Sequence, residues 1–358
     1  MNFSFISVRT QYENLGDALI NRELIGLLSA QGKLVVDVSG VPVWFVDMLA
    51  LPADAVRVRG QLRLLGHMVL RRLAGHRVYH FFIPGGMRGE YSRHQFFRKC
   101  VSLLPYYALS LLGARFCQVG LSFESLGPRH TAYLRLRNRV MHAFHVRDRG
   151  SSELLTSLGV AHCGLLPDLA FNTFESGRRE IRPTAAACFS FRTDQHLEQL
   201  EDCYEAMQRA IRALPKQTRY FLVVQVERDR AGMETIRARL RDELGIEARI
   251  HQETRDIERL RDFYRGMDVV ISNRLHVLLL GAGVGARSIA YVDEANQKIS
   301  GMFETIGRAD LVLRRDDSGD SKVSLALVAE PVDGGAQQAA LSKGFAQIFS
   351  SRPSASTQ

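Results

Sequence analysis

The chain has 358 residues, 46% hydrophobic and 24% charged, a composition that excludes disordered and fibrous proteins and suits two domains of about 150 residues each. Its net charge of +9 favours anionic partners, whether phosphorylated metabolites, nucleic acid or an acidic membrane surface, although abundant arginine can equally reflect genomic base composition. Five cysteines without CxxC or metal-ligand spacing, an N-terminus without a secretion signal and the lack of any apolar run of ~18 residues predict a reduced, cytoplasmic protein that does not span a membrane.

Short apolar runs alternate with helical patterns from end to end, the signature of parallel sheets flanked by helices. In the first half the strands fall at 3–8, 34–38, 79–83, 115–120 and 143–146, with helices at 17–30, 91–112, 129–141 and 151–158 between them. The polar stretch ESGRREIRPT reads as a linker, and a second series starts at Ala185 with further strands at 219–226, 248–251, 268–272 and 288–292. A helix over 256–266 places Ile257, Leu260 and Tyr264 on one face. The expected architecture is α/β, two Rossmann-like domains with parallel sheets facing a central cleft: 1–175, 185–315, and a C-terminal helix with a flexible tail over 316–358. The last helix is expected near 339–349, with the chain frayed beyond Ser350.

Polar and glycine-rich groups recur where predicted strands end, which is where open α/β sheets hold their ligands. Asn14, Gly16 and Asp17 open a helix, either as an anion-binding turn or as an ordinary cap by Asn14 or Asp17. Gly85 and Gly86 form a paired-glycine turn that lets backbone approach a ligand or merely permits positive φ. Ser122, Glu124 and Ser125 follow the fourth strand, either lining the cleft or forming a polar connection. Arg147 ends the fifth strand, either paired to Asp148 or free as an anion anchor, with Ser151 able to cap the next helix. Asp168 in PDLAF is a candidate ligand or cap at the domain junction.

The segment MDVVISNRLHVLLL, 267–280, says most: an Asp-led apolar strand, a Ser272-Asn273 turn with Asn273 a candidate substrate contact, then Arg274 and His276 ahead of another apolar run. Arg274 can grip an anion and His276 can move a proton near neutral pH. No metal site is expected, since His142 and His145 lack completing ligands, and GxSxG, Walker A and GxGxxG motifs are missing. The segment 57–77 mixes arginines with Leu62, Leu65, Met68, Val69 and Leu73, either as a surface helix covering the sheet or as a basic amphipathic helix for an anionic membrane. Nucleic-acid binding fits less well, because aromatic interleaving is missing.

Taken in order, NLGD at Asn14, IPGGM at Ile83, LSFESLG at Leu121, VRDRGS at Val146, PDLAF at Pro167 and SNRLH at Ser272 resemble the polysaccharide pyruvyl transferase family, over about 14–301. The resemblance implies a fold similar to the two-domain (GT-B) glycosyltransferases, with the acceptor on the N-terminal and the donor on the C-terminal domain. It also implies transfer of pyruvate from phosphoenolpyruvate to a sugar as a ketal, without a cofactor. The acceptor would be a sugar of a surface or exopolysaccharide precursor, lipid-linked in some cases. Carried onto this chain, His276 is the expected general acid and base and Arg274 the anion anchor. Asn14, Gly16 and Asp17 match the family's N-terminal motif, Arg147 is a further carry-over to the substrate site, and Lys298 is an added candidate phosphate contact. Two other functions stay open: a nucleotide-sugar glycosyltransferase on the same frame, and a noncatalytic glycan-assembly protein at the membrane surface.

Overall fold

The computed structural model describes residues 1–175, 185–193, 197–293, 297–314 and 320–350; most of the expected linker and the stretch after Ser350 lie outside them. The chain forms two compact units, one of Met1–Tyr12, Asp17–Leu169 and the residues from Gln337 on, the other of Glu13–Gly16 and Ala170–Ala336.

The first unit carries strands β1 (Asn2–Ser7), β2 (Lys33–Asp37), β3 (Val56–Val58), β4 (Arg77–Phe82), β5 (Gly85–Gly89), β6 (Arg115–Leu126) and β7 (Met141–Val146). All pairings are parallel, in the order β3-β2-β1-β4-β6. β5 continues along β6 past the end of β4, and β7 takes the other edge of β6. Residues 116–123 of β6 are buried without a break, as expected of a strand covered on both faces.

Sequence patterning ends β6 at Gly120, yet the strand runs six residues further. Gly120 has φ 67°, a Cβ there would lie 2.9 Å from Leu169 Cδ1, and the register to β7 slips between Gln118 and Leu121. The glycine therefore bends the strand without ending it. Ser122 and Glu124 consequently sit within β6 and not in a loop. Gly85 and Gly86 are likewise not a turn: they pair with Leu121 and Ser122 as β5.

Two boundaries also differ from expectation. The C-terminal helix (Gly335–Ser350) is no separate appendage, because Phe345 stacks on Phe81 at 6.2 Å, Phe349 meets the Tyr79 ring at 4.4 Å, and the Tyr79 hydroxyl donates to the Phe349 carbonyl at 3.1 Å. The turn Glu13–Gly16 belongs to the second unit, although its neighbours in sequence belong to the first. The expected helix over 57–77 is shorter, Gln61–Leu73 between β3 and β4, and it covers the sheet by burying Leu64 and Met68.

The second unit holds β8 (Ala186–Ser190), β9 (Arg219–Val224), β10 (Ala248–Gln252), β11 (Val269–Ser272), β12 (Arg287–Val292) and β13 (Val312–Arg314), all parallel and ordered β10-β9-β8-β11-β12-β13. This is a doubly wound sheet whose order reverses between β8 and β11, the place where such sheets open a ligand crevice. Asp268, the leading acid of the SNRLH strand, fixes its start by accepting the N–H groups of Ala185 and Ala186 at 2.9 and 3.0 Å.

Candidate active site

The chain leaves β11 at that reversal point, where Ser272 is in register with Ser190 at the end of β8. The Ser272 hydroxyl donates to the Ser190 carbonyl and accepts the Arg274 N–H at 2.9 Å, so one side chain ties both strand ends and sets the turn. Asn273 Oδ1 accepts the Arg192 N–H at 2.6 Å, which commits this predicted ligand-binding amide to holding the loop after β8.

The helix Leu275–Gly283 follows, with every residue buried except His276 and no side-chain cap on its first turn. Gly281 allows it to lie against the sheet, since a Cβ there would fall 2.8 Å from Val270 Cγ2. A helix apolar on all faces belongs in a core. The imidazole on its first turn is thus the polar exception, placed beside the N-terminal end of the helix dipole.

Arg274 forms an ion pair with Asp229, which lies in the turn after β9 and is 2% exposed. Asp229 is itself held, its Oδ1 accepting the Thr193 N–H and its carbonyl accepting the Thr193 hydroxyl, both at 3.1 Å. The Arg274 guanidinium is therefore held in place by a buried carboxylate. Cys203 lies 3.9 Å from Asn273 Nδ2, but burial, with added repulsion from Asp202, Asp229 and Asp293, pushes its thiol up to about 12. That thiol stays protonated at neutral pH and is no nucleophile.

The glycine of the NLGD motif meets the histidine of SNRLH. A Cβ on Gly16 would lie 2.3 Å from His276 Nδ1, so the imidazole packs on a turn that only glycine leaves open. Asn14 Oδ1 accepts the Gly16 N–H at 3.1 Å, giving Asn14 the role of cap for the helix Leu15–Ser29. Gly16→Ala is expected to displace the His276 ring and to cost about 1–3 kcal/mol from overpacking. Imidazole resonances that stay put, together with an unchanged urea midpoint, would show that the ring does not depend on this turn.

The remaining predicted residues are elsewhere. Asp17 accepts the Thr10 hydroxyl at 2.7 Å within the first unit. Gly86 and Ser122 are brought together as a β5–β6 pair, with Ser122 buried, while Glu124 is exposed and 3.7 Å from Arg88. Arg147 is 2% exposed and 2.8 Å from the buried Asp168 carboxylate, so it is neither paired to Asp148 nor free to anchor an anion. Asp148, not Ser151, caps the next helix, accepting the Ser151 N–H at 2.7 Å. Lys298 lies half-buried in the first turn of the helix Gln297–Thr305; residues 294–296 of its motif are outside the described residues. His142 Nε2 sits 3.0 Å from the Ile348 carbonyl, and among the described residues no group of three His, Cys, Asp or Glu side chains forms a metal-ligand set.

The family model for polysaccharide pyruvyl transferase matches residues 14–293, which begins at Asn14 and takes in the SNRLH turn. The chain belongs to the polysaccharide pyruvyl transferase family. No curated protein matches it in sequence. Among solved structures it is similar to the UDP-GlcNAc 2-epimerase of Neisseria meningitidis bound to UDP-GlcNAc, with 8% identity, TM-score 0.57 and coverage of 98% of this chain and 99% of that one. It is also similar to the UDP-GlcNAc 2-epimerase of Methanocaldococcus jannaschii, with 11% identity, TM-score 0.54 and coverage of 95% and 98%. At these identities the likeness establishes the fold alone, two parallel-sheet α/β domains. In this pyruvyl transferase family member the matched span leaves out β1 and the C-terminal helix and includes Gly16, Asp229, Arg274 and His276.

Sequence reasoning missed Asp229 and the Gly16–His276 contact. Asp229 had a legible signal, an acid just past a predicted strand end. The glycine and histidine are too far apart in sequence for any periodicity to join them.

Proposed function

We propose that the protein moves pyruvate from phosphoenolpyruvate onto two hydroxyls of a sugar, as a ketal, within a surface or exopolysaccharide precursor. The observation that carries this reading is the Arg274–His276 pair at the strand-order reversal of the second unit, in a chain of the pyruvyl transferase family.

Phosphoenolpyruvate offers a carboxylate and a phosphate, and Arg274, with the uncapped first turn of the helix Leu275–Gly283, supplies positive charge to them. His276 gives a proton to the methylene carbon as one sugar hydroxyl adds to C2. It recovers a proton from an acceptor hydroxyl as the second oxygen displaces phosphate from C2, and the other hydroxyl proton leaves with the phosphate. Asp229 holds the guanidinium in place through both steps.

The acceptor is a polysaccharide-precursor sugar, lipid-linked or free, and no nucleic acid takes part. The setting is the cytoplasm, where phosphoenolpyruvate is made; no described helix is long and apolar enough to cross a membrane. Arg274→Ala is expected to weaken phosphoenolpyruvate binding by about 1.5–3 kcal/mol, the worth of a hydrogen bond to a charged group, as read by calorimetry. Wild-type affinity in that variant would remove Arg274 from the donor site.

A further inference from the structure

We propose that the first unit carries a docking face for an anionic lipid bilayer, formed by the helices Gln61–Leu73, Arg93–Val101 and Leu104–Leu111. The first and third run side by side: Gln61 Nε2 donates to the Tyr106 hydroxyl at 3.2 Å near one end, and Arg72 Nε donates to the Leu112 carbonyl at 2.7 Å near the other. The middle helix joins the third through two residues, Ser102 and Leu103.

Leu62, Leu70, Leu73, Phe97, Leu104 and Leu111 are each at least 65% exposed on these helices. Within Gln61–Leu73 the exposed leucines recur at helical spacing, opposite the buried Leu64 and Met68. Isolated exposed leucines are ordinary, but six large apolar side chains on three successive helices are a surface with a use.

Charge identifies the occupant. Residues 55–115 hold eleven arginines and lysines against one acid, Glu90, which accounts for the whole +9 excess of the chain. Arg57, Arg59, Arg63, Arg93, Arg98 and Lys99 are exposed there, and none forms an ion pair among the described residues. A second copy meeting this face would set like charges against each other. Nucleic acid would meet protruding leucines where stacking rings are needed. An anionic bilayer satisfies both features, taking the leucines and Phe97 into the headgroup and acyl boundary while the basic groups meet lipid phosphates.

The test is sedimentation of the full-length protein with phosphatidylglycerol-rich vesicles and with pure phosphatidylcholine vesicles. We expect binding to the anionic vesicles only, reduced about tenfold or more by Leu70→Gln with Leu111→Gln, and equally by Arg59→Gln, Arg63→Gln and Arg98→Gln together. All five side chains are exposed, so folding, checked by circular dichroism, should be unchanged. Failure to bind anionic vesicles at low salt overturns the proposal. So does binding that ignores the leucine substitutions, which would be charge adsorption alone, or a vesicle-inert self-association that the leucine substitutions abolish. Pyruvyl transfer to a soluble acceptor is expected to be equal in wild type and variants, so a failed docking face and a failed functional reading give different results.

Discussion

Replacing His276 with alanine is expected to abolish turnover while phosphoenolpyruvate still binds. The helix that carries His276 is otherwise buried and alanine favours helical backbone, so alanine removes the imidazole while the segment is expected to keep its helix. Removing a positioned acid or base typically costs ~10²–10⁴ in rate, whereas donor binding is proposed to rest on Arg274 and backbone N–H groups. Calorimetry with phosphoenolpyruvate and single-turnover phosphate release separate the two effects. Wild-type turnover in His276→Ala removes the ring from the mechanism. Loss of binding together with turnover would make it a donor ligand instead.

The second large effect belongs to stability. Arg147 and Asp168 are fully buried, and the guanidinium nitrogens make no in-line hydrogen bond, so the arginine depends on the adjacent carboxylate charge. Arg147→Leu takes the buried positive partner away from that carboxylate, at an expected cost of about 3–5 kcal/mol. Removing both charges with Arg147→Leu and Asp168→Leu should restore most of the loss, because the pair had to be desolvated to form. Urea unfolding of the two singles and the double reads this directly. An anion anchor would behave otherwise, leaving the urea midpoint alone and lowering donor affinity.

The alternation of apolar runs and helical patterns announced two parallel-sheet units because parallel strands covered on both faces are buried and largely apolar, as residues 116–123 of β6 and the whole of β12 are buried. β3 and β13, three residues each, are too short for any periodicity to register. β5, sequence GGMRG, has a composition that reads as a turn and is a strand only because β6 offers its edge. The same long-range pairing drew Ser122 and Glu124 out of a supposed loop. At the site, Arg274 and His276 could be found because polar groups after an apolar strand have a positional meaning. What they touch could not, since Asp229 and Gly16 reach them only through the reversal of strand order and the return of a distant turn. Asn273 and Asn14 were visible as polar residues in the right places, but hydrogen bonds to Arg192 and Gly16 give them architectural duties that spacing alone does not disclose.

The most direct measurement incubates the protein with phosphoenolpyruvate and a panel of glycan acceptors, following inorganic phosphate and the acceptor mass together. One phosphate is expected for each pyruvyl ketal formed, only when a suitable acceptor is present. Tight binding of a nucleoside diphosphate with no phosphoenolpyruvate binding and no ketal on any acceptor would rule out pyruvyl transfer.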